Sequence, residues 1–319
     1  MPFEYNYSEA KRLISSARLS SYKKIINSDN DAELLGAYSW NMAVVGAFYP
    51  LIQIVEVALR NAINNAGKEH ITEVEGKHWI ESIKCTSIIN ESGDNANAEQ
   101  VLKFKQKIKN AKKEAKKTLV AKGDTDKSPT LDQIISQTDL ATWEYLFDKH
   151  FYEGNNDINE NFLWPKNLLK VFKKLPRTNE KNPSFHQRDI IRRRIEEIRL
   201  FRNRLSHNEP VWRTNSAGSK EAVVTQLYEM VENIMDLLFW ISPTFSNYVK
   251  DIGVYTRITQ LLHLAELNRY LHIFTLHDIS DIDSLIALVK ESNSSNLKCH
   301  FKVGENHGLL TPNSNKLFQ

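Results

Sequence analysis

The stretch "IIRRRIEEIRLFRNRLSHNEPVW" (residues 190–212) decides the fold. On an ideal helix Ile191, Ile195, Ile198 and Leu205 recur at spacings of four, three and seven and form one apolar seam. The pattern predicts a helix that begins near Gln187 and ends before Pro210, because a proline disfavours helix at the preceding Glu209. Position 202 belongs to the same seam and holds arginine where leucine or isoleucine is expected. A guanidinium does not lose its proton, and burying it unpaired is very expensive. Arg202 therefore meets a carboxylate, snorkels to water, or waits for an anionic ligand. Asn203 and His207 are four apart and share a face, whereas Arg202 and His207, five apart, diverge by roughly 140°. Those two converge only if the last turn frays or if two copies of the helix meet across a symmetric dimer.

The helical period runs through most of the chain. Residues 31–49 read as a helix (Leu34, Leu35, Tyr38, Met42, Val45) that Pro50 closes or kinks. A second helix runs from Leu51 to a C-cap at Gly67. Residues 90–100 are a loop by composition. Residues 101–122 hold nine lysines and a single acid, Glu114, with Ile108, Ala111, Ala115 and Leu119 on one side: a basic amphipathic helix. One or two helices follow over 130–151, a short one near Leu168–Phe172, a long one over 220–242 stopped by Pro243, and two or three more over 244–290. No useful period-2 alternation precedes residue 295, and "CHFKV" (299–303) reads as a lone short strand or nothing. The predicted fold class is all-α. The expected division is a helical domain over 1–242 and a C-terminal helical extension with an irregular tail over 243–319.

Bulk properties narrow the function classes. The 319 residues suffice for one large or two ordinary domains, and 41% hydrophobic with 25% charged residues is a globular composition. A net charge of +3 means that basicity, where present, is concentrated. Cys85 and Cys299 are too few for a disulfide framework or a structural zinc site and read as thiols. The N-terminus lacks the apolar core and cleavage pattern of a signal peptide. The apolar run 42–59 is broken by Pro50, Gln53 and Glu56, which favours a buried helix pair over a membrane span and a cytoplasmic location. There is no Walker A loop, G-x-G-x-x-G, nucleophile elbow or metal-spaced ligand cluster, so neither cofactor nor metal is expected.

Arg202-Asn203-Arg204-Leu205-Ser206-His207 resembles the R-x4–6-H motif of the HEPN superfamily. The longer "RNRLSHNEPVW", together with "IVEVALRNAI" (54–63) and "ISQTDLATWEYLF" (135–147) in the same order, is similar to Abi-like (abortive-infection) bacterial proteins. That resemblance spans roughly residues 30–242. Arg257 and His263 make a second bare match, but with isoleucine after the arginine, no proline terminator and no accompanying blocks. The resemblance implies a HEPN-like multi-helix bundle with additional N- and C-terminal helices. It implies a dimeric, metal-independent endoribonuclease, with Arg202, Asn203 and His207 as catalytic residues and RNA as substrate. The residue chemistry suits that role: imidazole exchanges protons near neutrality, and a fixed cation holds a phosphate.

Lys103, Lys105, Lys109, Lys112, Lys113 and Lys116 on the basic helix, with Phe104 available for stacking, are candidate RNA contacts, as are Arg192 and Arg193 beside the seam. A merely solvated face is the alternative for the lysines. Glu56 and Arg60 read as an i,i+4 ion pair, unless Arg60 and Asn61 brace the motif helix. A restraining antitoxin, RNA or protein, is an expected partner, and Ile198 and Leu205 are expected to close a homodimer interface. The competing function is a non-catalytic helical module that grips RNA through the same motif.

Overall fold

A computed structural model of the chain describes residues 5–153, 161–207, 209–213 and 217–318. The elements in order are α1 (Ser8–Ile14), α2 (Ser16–Ile26), α3 (Asp31–His70), α4 (Trp79–Ser82), β1 (Ser87–Ile89), β2 (Asn95–Asn97), α5 (Glu99–Ala121), α6 (Leu131–Ser136), α7 (Leu140–Tyr145), α8 (Leu168–Val171), α9 (Pro183–Ser206), α10 (Lys220–Ile241), α11 (Pro243–Asp251), α12 (Val254–Leu261), α13 (Leu264–Tyr270), β3 (Leu276–Asp278), α14 (Ile282–Ser295), β4 (Cys299–Val303) and β5 (Asn306–Leu310). The fold is mostly α, with 63% of residues helical. Two compact units are built from interleaved segments: Met1–Ile52, Phe201–Asn233 and Asn247–Gln319 form one, and Gln53–Leu200 with Ile234–Ser246 the other.

Several elements differ from the sequence reading. Residues 31–70 are one helix, not two. Pro50 sits inside it on an exposed face, and Gly46, whose carbonyl loses its i+4 donor to the proline, is exposed too. Water can satisfy that carbonyl, so the helix continues. Gly67 is not a C-cap but an interior position pressed against Trp79, where an added Cβ would collide with the indole ring. By length and composition α3 could cross a membrane. Its apolar positions Val44, Phe48, Leu51, Ile52, Val55, Leu59 and Ile63 are instead fully buried in protein, each contributing about 1.5–3 kcal/mol.

In the second unit, α5 buries Val101, Phe104, Ile108, Ala111, Ala115 and Leu119 along one stripe, and Ala111 and Ala115 meet Ile134 of α6. Phe147 stacks on Trp164 at 4.7 Å, and the Trp164 indole donates to the Leu146 carbonyl at 2.7 Å. Ile191, Ile195 and Ile198 are fully buried, as the seam requires. The motif helix starts at Pro183, a turn earlier than expected, with the Asn182 side chain accepting from the Phe185 amide. The loop predicted over 90–100 contains β2, which pairs with β1 as an antiparallel hairpin.

In the first unit, Trp40 donates to the Leu261 carbonyl at 2.8 Å, and Tyr228 to the Thr259 carbonyl at 3.2 Å. Four helices, rather than two or three, begin between 243 and 282, and "CHFKV" is neither lone nor unstructured. It is the central strand of a three-stranded sheet, parallel to β3 and antiparallel to β5. Glu266 is buried there between Arg269 and Lys298, at 2.7 and 2.8 Å. Burial raises a carboxyl's proton affinity, but hydrogen bonds from Arg269 and Lys298 outweigh it and hold Glu266 below the usual range. Cys85 and Cys299 are free thiols.

Candidate functional site

The C-terminal end of α9 leaves carbonyls without helical donors, and several of the groups there find partners. The Ser206 hydroxyl donates to the Arg202 carbonyl at 3.0 Å, the His207 amide to Asn203 at 3.2 Å and the Glu209 amide to Arg204 at 3.2 Å. Arg18 of α2 donates to the His207 carbonyl at 3.3 Å, and Tyr49 of α3 donates to the Ser206 hydroxyl at 3.3 Å. Beyond the helix, the Arg204 guanidinium holds the Trp212 carbonyl at 2.7 Å. Trp212 is buried, edge-on to Tyr22 at 5.3 Å and near Trp40 at 6.3 Å. Asn41, fully buried in α3, accepts from the Val211 amide at 3.0 Å. The turn after the motif is thus pinned from two helices.

Within this frame Arg202 is half-buried, and its Nε is sealed from solvent with no hydrogen-bond partner among the described residues. Its neighbours Phe201 and Leu205 are buried, Phe201 edge-on to Phe48 at 4.9 Å. Asn203 is half-buried and His207 exposed; among the described residues neither side chain makes a hydrogen bond. The i→i−4 bond from the His207 amide carries helical geometry through residue 207. Arg202 and His207 of one chain therefore stay roughly 140° apart in azimuth and do not converge. Leu200, 54% exposed, lies seven residues before His207 and three before Asn203, so the three share one stripe of the helix. Ile198 and Leu205, expected to close an interface between chains, are buried at 0% and 1% inside this one. They are core residues and are not available to a partner.

The proposed RNA contacts divide. Lys103 pairs with Glu99 at 2.6 Å and Lys112 with Glu81 at 2.8 Å; Lys105 donates to Asn97, and Lys116 to the carbonyls of Thr125 and Lys127. Lys109 and Lys113 are exposed with no partner among the described residues. Arg192 bridges Asp189 and Glu196, and Arg193 pairs with Asp189 at 2.8 Å. Phe104 is not available for stacking: it is buried edge-on against Phe151 at 5.3 Å. Arg60 is half-buried with an unpartnered Nε, and Asn61 is exposed.

The sequence reading passed over the residues that position the motif: Arg18, Asn41, Tyr49 and Arg204. One of them had a signal. Asn41 interrupts an apolar helical run just as Arg202 interrupts its seam, and a buried amide in such a place must be hydrogen-bonded. Among the described residues no group of three or more His, Cys, Asp or Glu is placed to hold a metal ion. A family model described as Abi-like protein matches residues 4–213. Comparison with curated proteins and with solved structures gives no match.

Proposed function

We propose that this chain, which belongs to the Abi-like protein family, is a metal-independent endoribonuclease of the HEPN superfamily. It acts in the cytoplasm in abortive infection and is toxic to its own cell when triggered. The observation that carries the reading is Arg202. A half-buried guanidinium with an unused, sealed donor is costly by about 1–3 kcal/mol, and an anionic ligand relieves that cost. The surrounding hydrogen bonds are spent on holding the helix end, leaving Arg202, Asn203 and His207 uncommitted.

In the proposed reaction the 2′-oxygen of a ribose attacks the adjacent phosphorus. The bond from phosphorus to the 2′-oxygen forms and that to the 5′-oxygen breaks. One imidazole takes the 2′-hydroxyl proton and a second donates a proton to the departing 5′-oxygen. The products are a 2′,3′-cyclic phosphate and a 5′-hydroxyl. Arg202 holds the phosphate and offsets charge developing on its oxygens, while Asn203 orients imidazole or phosphate. Lys109 and Lys113, exposed and without partners among the described residues, are the lysines left to follow a strand electrostatically.

The divergence of Arg202 from His207 within one helix supports a homodimer. Around a two-fold axis, His207 of one chain meets Arg202 of the other, and two imidazoles supply base and acid. The stripe of Leu200, Asn203 and His207 gives such a contact an exposed apolar side chain to cover. A restraining antitoxin, RNA or protein, completes the proposed system.

The test is growth arrest in cells and cleavage of total RNA by purified protein, each compared for wild type, Arg202→Ala and His207→Ala. Both variants should lose both activities. Variants that arrest growth and cleave as wild type does would refute the assignment, and intact RNA bound by wild type would favour a non-catalytic RNA-binding module. Adding His207→Ala protein to wild type should depress activity below simple dilution, through mixed dimers. An active species that sediments as a monomer would refute the shared site.

A further inference from the structure

The N-terminal half of α9 builds a second, separate feature in the other compact unit: a polar cavity of about 700 Å³. Six cationic side chains line it, Lys103, Lys149, Arg188, Arg192, Arg193 and Arg199, against four carboxylates, a surplus of two positive charges. The carboxylates are largely spoken for. Arg199 is bonded to Glu144, Arg192 to Asp189 and Glu196, Arg193 to Asp189, and Asp148 holds His150 at 2.5 Å. Lys149, which is exposed, has no carboxylate partner among the described residues.

Arg188 is the more telling group. It is 3% exposed, yet its Nε has no hydrogen-bond partner, and its Nη2 stands 3.8 Å from Asp189, too far for a hydrogen bond. One nitrogen donates to the Phe147 carbonyl, and the guanidinium lies over the Phe185 ring at 4.6 Å. Burial pushes its proton affinity down, with Asp189 and Asp148 partly opposing that. A cation so deeply buried and so incompletely satisfied, in the wall of a water-accessible cavity, is arranged for an anion that is not protein.

A second cavity, of about 510 Å³, shares Lys149 and Phe185 with the first. Its character is different. Tyr152 stands edge-on to Phe185 at 5.3 Å. The wall is otherwise neutral, with the Thr86 and Ser87 hydroxyls donating to the His150 carbonyl and the Asn95 side chain, and Asn182 beside them. The Asn182 carbonyl oxygen is engaged by Tyr152 and the Phe185 amide, which leaves its amide N–H groups for a ligand. An aromatic corner with the neutral Asn182 amide as donor, adjoining a surplus of positive charge, matches a nucleobase joined to its phosphate.

We propose that these two cavities form a nucleotide-binding site, with phosphate held by Arg188 and Lys149, the Asp189-paired Arg193 adding its charge at the rim, and the base against Phe185 and Tyr152. The ligand is a nucleoside phosphate, either free or as the 5′-phosphorylated end of an RNA. The site needs neither Arg202 nor His207, so it stands or falls independently of the cleavage reaction.

The experiment is calorimetric titration of full-length His207→Ala protein, which leaves RNA probes uncut. The probes are AMP, ATP, adenosine, and a short RNA with and without a 5′-phosphate. Saturable binding of AMP or ATP, one per chain and stronger than adenosine, identifies a free nucleotide as the ligand. Binding of the RNA that requires its 5′-phosphate, without AMP or ATP binding, identifies the RNA end. In either case Lys149→Glu/Arg193→Glu, changed at two exposed side chains, should weaken binding at least about tenfold. Lys117→Glu/Lys122→Glu, an equal charge change elsewhere, should not. Should the first pair fail to fold, Lys149→Gln alone carries the same comparison. Absence of binding by every probe up to about 1 mM, or equal losses in the two charge-reversed proteins, would overturn the proposal.

Discussion

Two helix ends in the same compact unit carry an arginine followed closely by a histidine, and they are built for different ends. At Arg257 and His263 both side chains are spent locally. Arg257 donates to the carbonyls of Gly253 and Ile252 at 3.3 and 3.4 Å, and His263 caps α13 by accepting from the Ala265 amide at 3.1 Å. At Arg202 and His207 the capping work falls to other groups, Arg18, Ser206 and the amides of residues 207 and 209. The motif side chains stay uncommitted, one with a sealed Nε and the other exposed. Spacing is the same to within one residue. What separates a site from a helix cap is whether neighbours have already taken up the hydrogen-bonding capacity.

The largest effect should separate the two ends by activity. His207→Ala and Arg202→Ala should each lower RNA cleavage about 1000-fold, the scale of a lost general acid–base or charge-stabilising group. His263→Ala and Arg257→Ala should leave it within about twofold, inside the spread of ordinary surface substitutions. A His263 variant as inactive as the His207 variant would erase the distinction.

Next in size is the ionic cluster that follows the His263 cap. Glu266→Ala leaves Arg269 and Lys298 without their buried carboxylate and should cost about 3 kcal/mol in denaturant unfolding. The folded carboxyl titrates below its unfolded value of about 4.3. Its stabilisation is therefore complete above that pH and drains away as pH falls through the lower, folded value. The stability gap between wild type and Glu266→Gln should shrink below about pH 4, and a gap that widened on acidification would contradict the pairing.

These contrasts were unevenly legible in the sequence. Arg202 stood out because its cation broke an apolar period, and the buried Ile191, Ile195 and Ile198 before it and Leu205 after it bear that period out. The lysine helix was legible for the same reason, through the stripe from Ile108 to Leu119. Which lysines remain uncommitted was not, because Glu81 and Asp139 meet Lys112 and Lys107 only through the fold. Pro50 reads as closing or kinking its helix, since sequence does not show that its face, and Gly46 on it, meet solvent. The C-terminal sheet left no period to read: β4 and β5 are five residues each and nowhere fully buried.

Smaller effects sharpen the comparison. Arg204→Ala removes the bond to the Trp212 carbonyl and should cost about 2 kcal/mol, with cleavage falling through a loosened turn. Arg204→Lys should restore part of the stability. His263→Ala should cost about 1 kcal/mol, the value of an N-cap, with cleavage retained. Thermal melts of the two variants beside wild type check both.

The most direct measurement is the chemistry of the cut ends. Wild-type, His207→Ala and His263→Ala proteins are incubated with RNA in EDTA, and the fragments are analysed for terminal groups. Wild type and His263→Ala should yield discrete fragments with 2′,3′-cyclic phosphate and 5′-hydroxyl ends, and His207→Ala should leave the RNA intact. Cleavage that EDTA abolishes, or fragments bearing 5′-phosphates, would contradict the account.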